Sequence, residues 1–420
     1  MFIEKIIRVV LGAFVIISIT NYLGPANFGL YSYALSFAGI FTALSALGLD
    51  SIMIRELVKE PGKHNLLLGT GFILKLAGGV ISLVLLAIAI FFTPNDQSTN
   101  ILIFIIAVTP IFQSLNVVDF YFRSKVSAKN SVIVQSSSFF IASVIKLILI
   151  YLKYPLLYFV IFTVAEYLFM AIGFILMYKY KGLKISSWKF DSSLGKVLLK
   201  DSWPLIISGI VITIYMKIDQ VMIKEMLGEV QVGYYASAVR LCEAWYFLPV
   251  VVTSSLFPAI ITAKNNSKLL YQSRLQKLYD LLAWIAIAIA LPTTFFSKFI
   301  IQLLYKPEFL PAAPVLTIYI WAGIGTFLGI ASSQYLITEN LTKIAFYRTT
   351  IGMIINIILN FILIPLYGIT GSAIATLISY FFATFSLYFN SETREQTKMM
   401  FRAILLIDIY KIFNKKWLSV

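Results

Sequence analysis

The sequence predicts an all-α polytopic membrane protein of about 12 transmembrane helices, arranged in two six-helix bundles with both termini cytoplasmic. Three observations carry that prediction. Of the 420 residues, 60% are apolar and 13% charged, where a soluble chain of this length needs roughly 25% charged residues to cover its surface. Apolar stretches of about 20 residues recur from end to end, each long enough to cross a roughly 30 Å hydrocarbon core. Lysine and arginine, finally, sort by side once those stretches are laid out. An outer-membrane barrel would instead show ~10-residue alternating strands, and none are visible.

Taken in order, the spans are read at 5–22, 28–48, 66–92, 101–119, 132–152, 155–178, 203–222, 236–260, 279–297, 312–337, 344–364 and 369–390. The N-terminus lacks a cleavable-signal pattern with a small-residue exit site, so its first apolar run reads as a retained span. Between the first two spans stands "LGPANFGLYSYA" (23–34), an uncharged stretch whose Gly24, Pro25 and Gly29 predict a tight reversal. Of the 34 Lys and Arg, 26 fall at or near the two chain ends and the alternate loops and 5 at or near the opposite loops, counting Lys5, Arg8, Lys217 and Arg348, toward the ends of their spans, with the adjoining side; 3 (Lys75, Lys146, Arg240) remain within spans. The positive-inside rule then places both termini in the cytoplasm. The net charge of +15 is therefore mostly a topology signal and does not require nucleic acid as a partner.

No loop exceeds about 25 residues, which leaves no room for a soluble catalytic domain. The longest connection, 181–202 with its flanks, is basic and divides the spans six and six. The expected organisation is thus an N-terminal bundle over 1–180, a cytoplasmic linker over 181–202, a C-terminal bundle over 203–390 and a cytoplasmic tail over 391–420. The tail is charged and then amphipathic. Its apolar core is short and interrupted by Asp408 and Lys411, so it is expected to lie on the membrane surface.

An internal echo supports the division. "LGPANFGLYSYALSFAGIF" (23–41) aligns without gaps with "LGEVQVGYYASAVRLCEAW" (227–245), matching Leu23, Gly24, Gly29, Tyr31 and Ala34 to Leu227, Gly228, Gly233, Tyr235 and Ala238. Both segments join the first and second helices of a six-helix half, on the same side. That is the pattern of a parallel repeat, and it favours a transporter with a central cavity over a receptor or scaffold.

Ionisable groups inside spans cost something like 2.5–3.5 kcal/mol each on insertion scales, so they tend to face protein or water. Lys75 and Lys146 have no partner within one helical turn, and Lys146 lies near enough to its span's end to snorkel. Glu166 sits mid-span in the sixth helix. Lys217 and Asp219 fall in "YMKIDQVM" of the seventh, and Arg240 and Glu243 lie three apart in the eighth. The cations Lys75, Lys146, Lys217 and Arg240 are candidates for an anionic headgroup such as a diphosphate, since charges in low dielectric attract it strongly. Asp219, Glu166 and Glu243 are candidates for coupling to a proton or sodium gradient. Each also has a plain structural reading: Arg240–Glu243 as an ion pair, Lys146 as a snorkelling side chain, Asp50 and Arg55 as interfacial anchors or a gate pair. Asn356 and Asn360, four apart, favour helix–helix hydrogen bonding over a cavity lining.

The negatives narrow the class. There is no GxxxxGK[ST] phosphate loop, and no His/Cys cluster has metal-ligand spacing. His64 is the single histidine and Cys242 the single cysteine, which excludes an intramolecular disulfide. No cofactor or metal is expected, and no enzyme activity.

Three stretches carry a resemblance to a known family. "YLGPANFGLYSYALSFAGIFTALSALGLDSIMIRELVKEPGKHNLLLGTGF" is similar to the opening of the polysaccharide-transport branch of the multidrug/oligosaccharidyl-lipid/polysaccharide exporter superfamily, and in particular resembles Wzx-type O-antigen flippases. The likeness returns at "YMKIDQVMIKEMLGEVQVGYYASAVRLCEAWYFLPVVVTSSLFPAI" and "NFILIPLYGITGSAIATLISY". The resemblance implies two six-helix bundles of the MATE-like type around a V-shaped cavity. It implies as cargo an undecaprenyl-diphosphate-linked oligosaccharide, an O-antigen or capsule repeat unit on its way to lipopolysaccharide or other surface polysaccharide. The cargo would cross a bacterial inner membrane by ion-coupled alternating access, with a polysaccharide polymerase and chain-length regulator as possible partners. Lys217 and Asp219 match the family's basic-x-Asp pattern, with Lys217 where relatives often have Arg, and Arg240 matches its basic residue in the eighth span. Relatives often carry extra residues before the first span, where here Met1 lies almost against it. A multidrug/cation antiporter of the same superfamily is the alternative, and it would want a net acidic lumen.

Overall fold

The computed structural model describes residues 2–405. Among the described residues every regular element is helical. Nine helical segments are long and apolar enough to cross a membrane, and a tenth is a pair, Pro307–Tyr319 and Ala322–Thr338, bent by 48°. The expected all-helical membrane class is what the structure has.

The helices run as α1 (Phe2–Ser45), α2 (Leu49–Lys59), α3 (His64–Phe91), α4 (Gln97–Ala107), α5 (Thr109–Gln113), α6 (Val117–Ser124), α7 (Ala128–Tyr151), α8 (Leu156–Tyr180) and α9 (Ser192–Leu227). They continue as α10 (Glu229–Glu243), α11 (Phe247–Asn266), α12 (Lys268–Leu304), α13 (Ala313–Tyr319), α14 (Ala322–Thr338), α15 (Thr342–Phe385) and α16 (Arg394–Ile404). The two 44-residue helices, α1 and α15, each contain a non-helical glycine. Gly24 has φ 69° and ψ 174°, a backbone state that a side chain makes costly. Pro25 follows as the first residue of the new helix, where its missing N–H is no loss. The chain doubles back there along α8: Arg8 and Tyr167 line one cavity, Tyr22 donates to the Tyr154 carbonyl at 2.9 Å, and Tyr31 has returned to Thr163 at 2.8 Å. In α15 the break is Gly368, at φ 61°. Three residues on, a Cβ on Gly371 would lie 2.1 Å from the Leu363 carbonyl oxygen, whereas an unbroken helix would part these residues by about 12 Å.

The turn after α9 repeats the first one. Gly228 has φ 88° and ψ 176°, close to Gly24, and Glu229 opens α10 as Pro25 opens the second part of α1. The two turns pack on each other reciprocally. A Cβ on Gly29 would sit 1.8 Å from the Glu229 carbonyl oxygen, and one on Gly233 would sit 2.0 Å from that of Pro25. In the gapless alignment Glu229 is the counterpart of Pro25 and Gly233 that of Gly29, so the contact is self-complementary, the mark of a local two-fold axis. The internal echo is thus a structural repeat at this point of the chain.

The chain packs as two compact units, one up to Gly233 and another from Tyr234. Repeat boundary and packing boundary are different quantities here. α9 begins the second sequence repeat yet packs in the first unit, against α1. Ser36 donates to Gln220 at 2.9 Å in a buried site and Tyr33 donates to Glu225 at 3.0 Å. The basic linker is docked too: the Lys189 N–H donates to the Asn65 carbonyl at 3.2 Å, and Asp191 caps α9 by accepting from the Leu194 N–H at 2.9 Å.

The second unit packs α12 against α14 and α11, with Tyr279, Leu282 and Phe327 in its core. The described part of the tail, α16, is docked onto protein: Gln396 donates to the Tyr279 hydroxyl at 2.8 Å and Ser332 at 2.6 Å, and Gln276 donates to the Met399 carbonyl at 3.0 Å. Asp408 and Lys411, on which the interfacial reading of the tail rests, lie outside the described residues.

Candidate functional site

In the first unit, the N-terminal part of α1, α2, α6, α7 and α8 enclose a polar cavity of about 310 Å³. Its wall is formed by Arg8, Asp50, Asp119, Arg123, Gln135 and Glu166, among others. A cavity this polar within apolar helices is what intramembrane function leaves behind, because each charged group there must be compensated by protein or water.

Most of its charges are compensated in pairs. Lys75, buried at 5% exposure, donates to Asp50 at 3.0 Å and lies 5.2 Å from the centre of the Phe120 ring. Lys146 donates to Glu166 at 3.2 Å, and Arg123 to Asp119 at 2.8 Å, one helical turn away. Arg8 differs. It stacks 5.1 Å above the Phe139 ring, and no carboxylate pairs with it among the described side chains, which do not include those of residues 2–7.

These contacts revise two sequence expectations. Lys75 and Lys146, without a partner on their own helices, find one across helices, 25 and 20 residues away. Lys146 is buried at 8% exposure and does not snorkel. Glu166, expected as a carboxylate without a local partner, is the other half of that pair. Asp50 is the counter-charge of Lys75, while Arg55, on α2's exposed face, pairs with Asp201 at 2.6 Å and Glu56 at 2.7 Å. In the sequence, Arg8 and Arg123 read as topology signals. Arg8 nevertheless lies inside the limits of the first span, and that position is the available clue.

The remaining candidates lie elsewhere. Lys217 is half-buried and Asp219 buried, both on α9 in the first unit. Arg240 and Glu243 are half-buried in the last turn of α10, in the second unit. In that unit Asn356 and Asn360 are fully buried: Asn356 donates to Ser379 at 3.3 Å, and Asn360 to the Asn356 side chain at 3.1 Å. The first bond ties together the two parts of α15 across its reversal, in keeping with the helix–helix bonding expected of Asn356, and the second lies within the first part. Among the described residues no group of three or more His, Cys, Asp and Glu could hold a metal ion.

A bent helix pair, a repeated turn and a charged cavity among apolar helices fit a membrane-transport fold. The chain belongs to the polysaccharide biosynthesis protein family, which matches residues 2–264, while the MatE family matches residues 204–362. Among curated relatives, the capsular polysaccharide biosynthesis protein CapF of Staphylococcus aureus is 20% identical over 400 residues, 93% of this chain and 97% of that one. The probable low-salt glycan biosynthesis flippase Agl15 of Haloferax volcanii is 26% identical over 203 residues, 46% of this chain and 42% of that one. The chain thus spans less than half the length of the first curated relatives it matches. The solved structure of the lipid II flippase MurJ, in an inward closed conformation, superposes with a TM-score of 0.74 over 99% of this chain and 92% of that one, at 19% identity. At that identity the likeness shows the fold.

Proposed function

We propose that the protein is a flippase for a lipid-linked oligosaccharide, moving a polyprenyl-diphosphate-linked repeat unit of a surface polysaccharide from one leaflet to the other. The carrying observation is Arg8 in the cavity of the first unit, with no carboxylate partner among the side chains described, and Arg123 on another helix of the same wall. Guanidinium forks match phosphate oxygens bidentately and are weakly hydrated, so they suit a diphosphate better than a lysine does. Lys75 and Lys146, neutralised by Asp50 and Glu166, serve as secondary cations that a diphosphate recruits by displacing the carboxylates. Lys217 and Arg240 remain the cationic candidates of α9 and α10. Family membership, and the relatives whose names are those of flippases and of a capsular polysaccharide protein, support the same reading.

Coupling follows from the same pairs. Protonation of Glu166 would release Lys146 for the cargo, and deprotonation would reclaim it. Asp219 and Glu243 are the further coupling candidates, for a proton or for sodium. With the bent pair taken as one span and the reversed α1 and α15 as two each, the nine candidate segments support twelve crossings, and the sidedness of lysine and arginine supports both termini on the lysine-rich side. The membrane is that in which the lipid-linked glycan is assembled, a bacterial inner membrane for an O-antigen or capsule pathway, and a polymerase would take the product.

In a strain whose only such flippase is deleted, the wild-type gene restores surface polysaccharide and Arg8→Gln does not, while lipid-linked repeat units accumulate on the cytoplasmic leaflet. Normal surface polysaccharide in the deletion strain would overturn the proposal. The MatE match supports a cation antiporter as the second reading. It predicts resistance to cationic dyes on expression, against the charge of Arg8.

A further inference from the structure

On the outer face of the first unit, α7 and α8 form a second concavity that the cavity chemistry does not use. It is an apolar groove of about 520 Å³ between Ile133, Ile141, Ile172, Leu176 and Tyr180. Its walls face the bilayer: Ile133, Ile141 and Ile172 are 44–48% exposed and Leu176 60%. Its floor is shut. A Cβ on Gly173 would lie 2.8 Å from Val134 Cγ1, so the two helices touch there. Ser138, which borders both groove and cavity, turns its hydroxyl onto the Val134 carbonyl at 2.9 Å. The groove is a trough on the membrane side, closed where Gly173 meets Val134.

Its two ends are unlike. Following the helical stripe, Ile133 is preceded one turn earlier by Lys129; Lys181 follows Tyr180, and Lys184 lies four residues past the end of α8, beyond the turn at Gly182. The Lys181 ammonium sits 5.7 Å from the centre of the Tyr180 ring, which holds a cation over the groove's mouth. Lys129, Lys181 and Lys184 are all exposed, and none pairs with a carboxylate among the described residues. The stripe from Ile133 to Ile141 is about 12 Å long and that from Phe169 to Tyr180 about 16 Å, at 1.5 Å per residue. One leaflet of a roughly 30 Å hydrocarbon core is about 15 Å deep.

We propose that this groove is a binding site for an anionic phospholipid of the leaflet on the lysine-bearing side, with one acyl chain in the trough and the phosphate among Lys129, Lys181 and Lys184. Length and charge together select that occupant. A chain of one leaflet's depth fills the trough, whereas a polyprenyl chain is too long for it. The cations stand outside the bundle, where a resident lipid's headgroup lies and a cargo diphosphate bound at Arg8 does not. An apolar trough alone would take any lipid; the three exposed lysines at that end of α7 and α8 make the preference anionic.

The test uses the full-length chain in nanodiscs of equal phosphatidylglycerol and phosphatidylethanolamine, with co-purifying lipid counted by native mass spectrometry. Wild type retains phosphatidylglycerol in excess over phosphatidylethanolamine. Lys129→Gln/Lys181→Gln/Lys184→Gln lowers that excess at least about tenfold, and Leu176→Trp, which fills the trough at an exposed position, lowers retention of both lipids. Equal retention of the two lipids by wild type would overturn the proposal, leaving the lysines as topology signals alone. Undiminished phosphatidylglycerol in the triple variant would do the same. So would displacement of phosphatidylglycerol by undecaprenyl phosphate with the same lysine dependence, which would give the trough to the cargo's tail. None of these readouts depends on flipping activity.

Discussion

The turn at 23–34 and the turn at 227–238 have one backbone and two chemistries. Gly24 and Gly228 share a positive φ near 80° and an extended ψ, and Gly29 and Gly233 each press against the other turn's first carbonyl. Beyond the turns the copies part. Ser36 and Gly39 follow the first, and Ser36 is buried in a neutral hydrogen bond to Gln220. Their counterparts after the second are Arg240 and Glu243. Duplication preserved what the backbone requires, because only glycine tolerates those contacts, and left the side chains that carry charge to diverge. The cavity charges of the first unit accordingly come from Arg8, Asp50, Asp119, Arg123 and Glu166, and none of these lies in the repeated turn.

That comparison can be broken most sharply at the crossing. Gly29→Ala and Gly233→Ala each place a Cβ on a backbone carbonyl that cannot move without its helix. Each should cost about 3 kcal/mol or more, read as loss of folded protein and a lower thermal midpoint in detergent. Gly39→Ala, with nothing within 4 Å of its added Cβ, is the neutral control. A large effect at one crossing glycine and none at the other would mean that the contact is not self-complementary.

The next effect lies in the paired charges. Lys75→Met leaves Asp50, itself 63% exposed, facing the cavity without its partner, for about 1–2 kcal/mol. Asp50→Asn added to Lys75→Met should recover much of that loss, and a double-mutant cycle measures the coupling. Additive losses would mean that the two side chains do not interact.

In the uncharged copy, Ser36→Ala removes one buried hydrogen bond and strands the Gln220 oxygen, for about 1 kcal/mol, with flipping intact. Loss of flipping in Ser36→Ala at full stability would show that the neutral copy also carries chemistry. Smallest is the α4 cap. Asp96 accepts from the Thr99 N–H at 3.3 Å, and hydrogen bonds from Ser98 and Thr99 hold its carboxyl below the usual range. Asp96→Ala should cost about 1 kcal/mol. Because the folded-state carboxyl is the stronger acid, the wild-type advantage is present at neutral pH and fades as pH falls through that lowered value. Equal thermal midpoints for wild type and Asp96→Ala at pH 7 would remove the cap from the account.

Much of the fold was legible because hydropathy and sidedness are local properties. The spans, the reversal at Gly24 and the echo at Gly228 could be read from runs and spacings in one stretch of chain. The site was less legible because its bonds join helices. The partner of Lys75 lies on α2 and that of Lys146 on α8, and no spacing rule within a helix reaches them. Loop counting hid Arg8 and Arg123: a lysine or arginine near a span's end is a topology signal by default, and only the packing of α1 against α7 and α8 shows that Arg8 points inward. The packing boundary at Gly233 was equally out of reach, since it follows from α9 lying against α1.

The central claim, that the chain flips a lipid-linked oligosaccharide held through Arg8, is tested most directly in proteoliposomes. A defined polyprenyl-diphosphate oligosaccharide is placed in both leaflets, and the fraction reached by an added impermeant glycan-modifying enzyme is followed with time. The account predicts translocation to completion with wild type, loss of at least about tenfold in rate with Arg8→Gln at unchanged folding, and partial recovery with Arg8→Lys, which keeps the charge but loses the fork. Translocation at the wild-type rate by Arg8→Gln would contradict it.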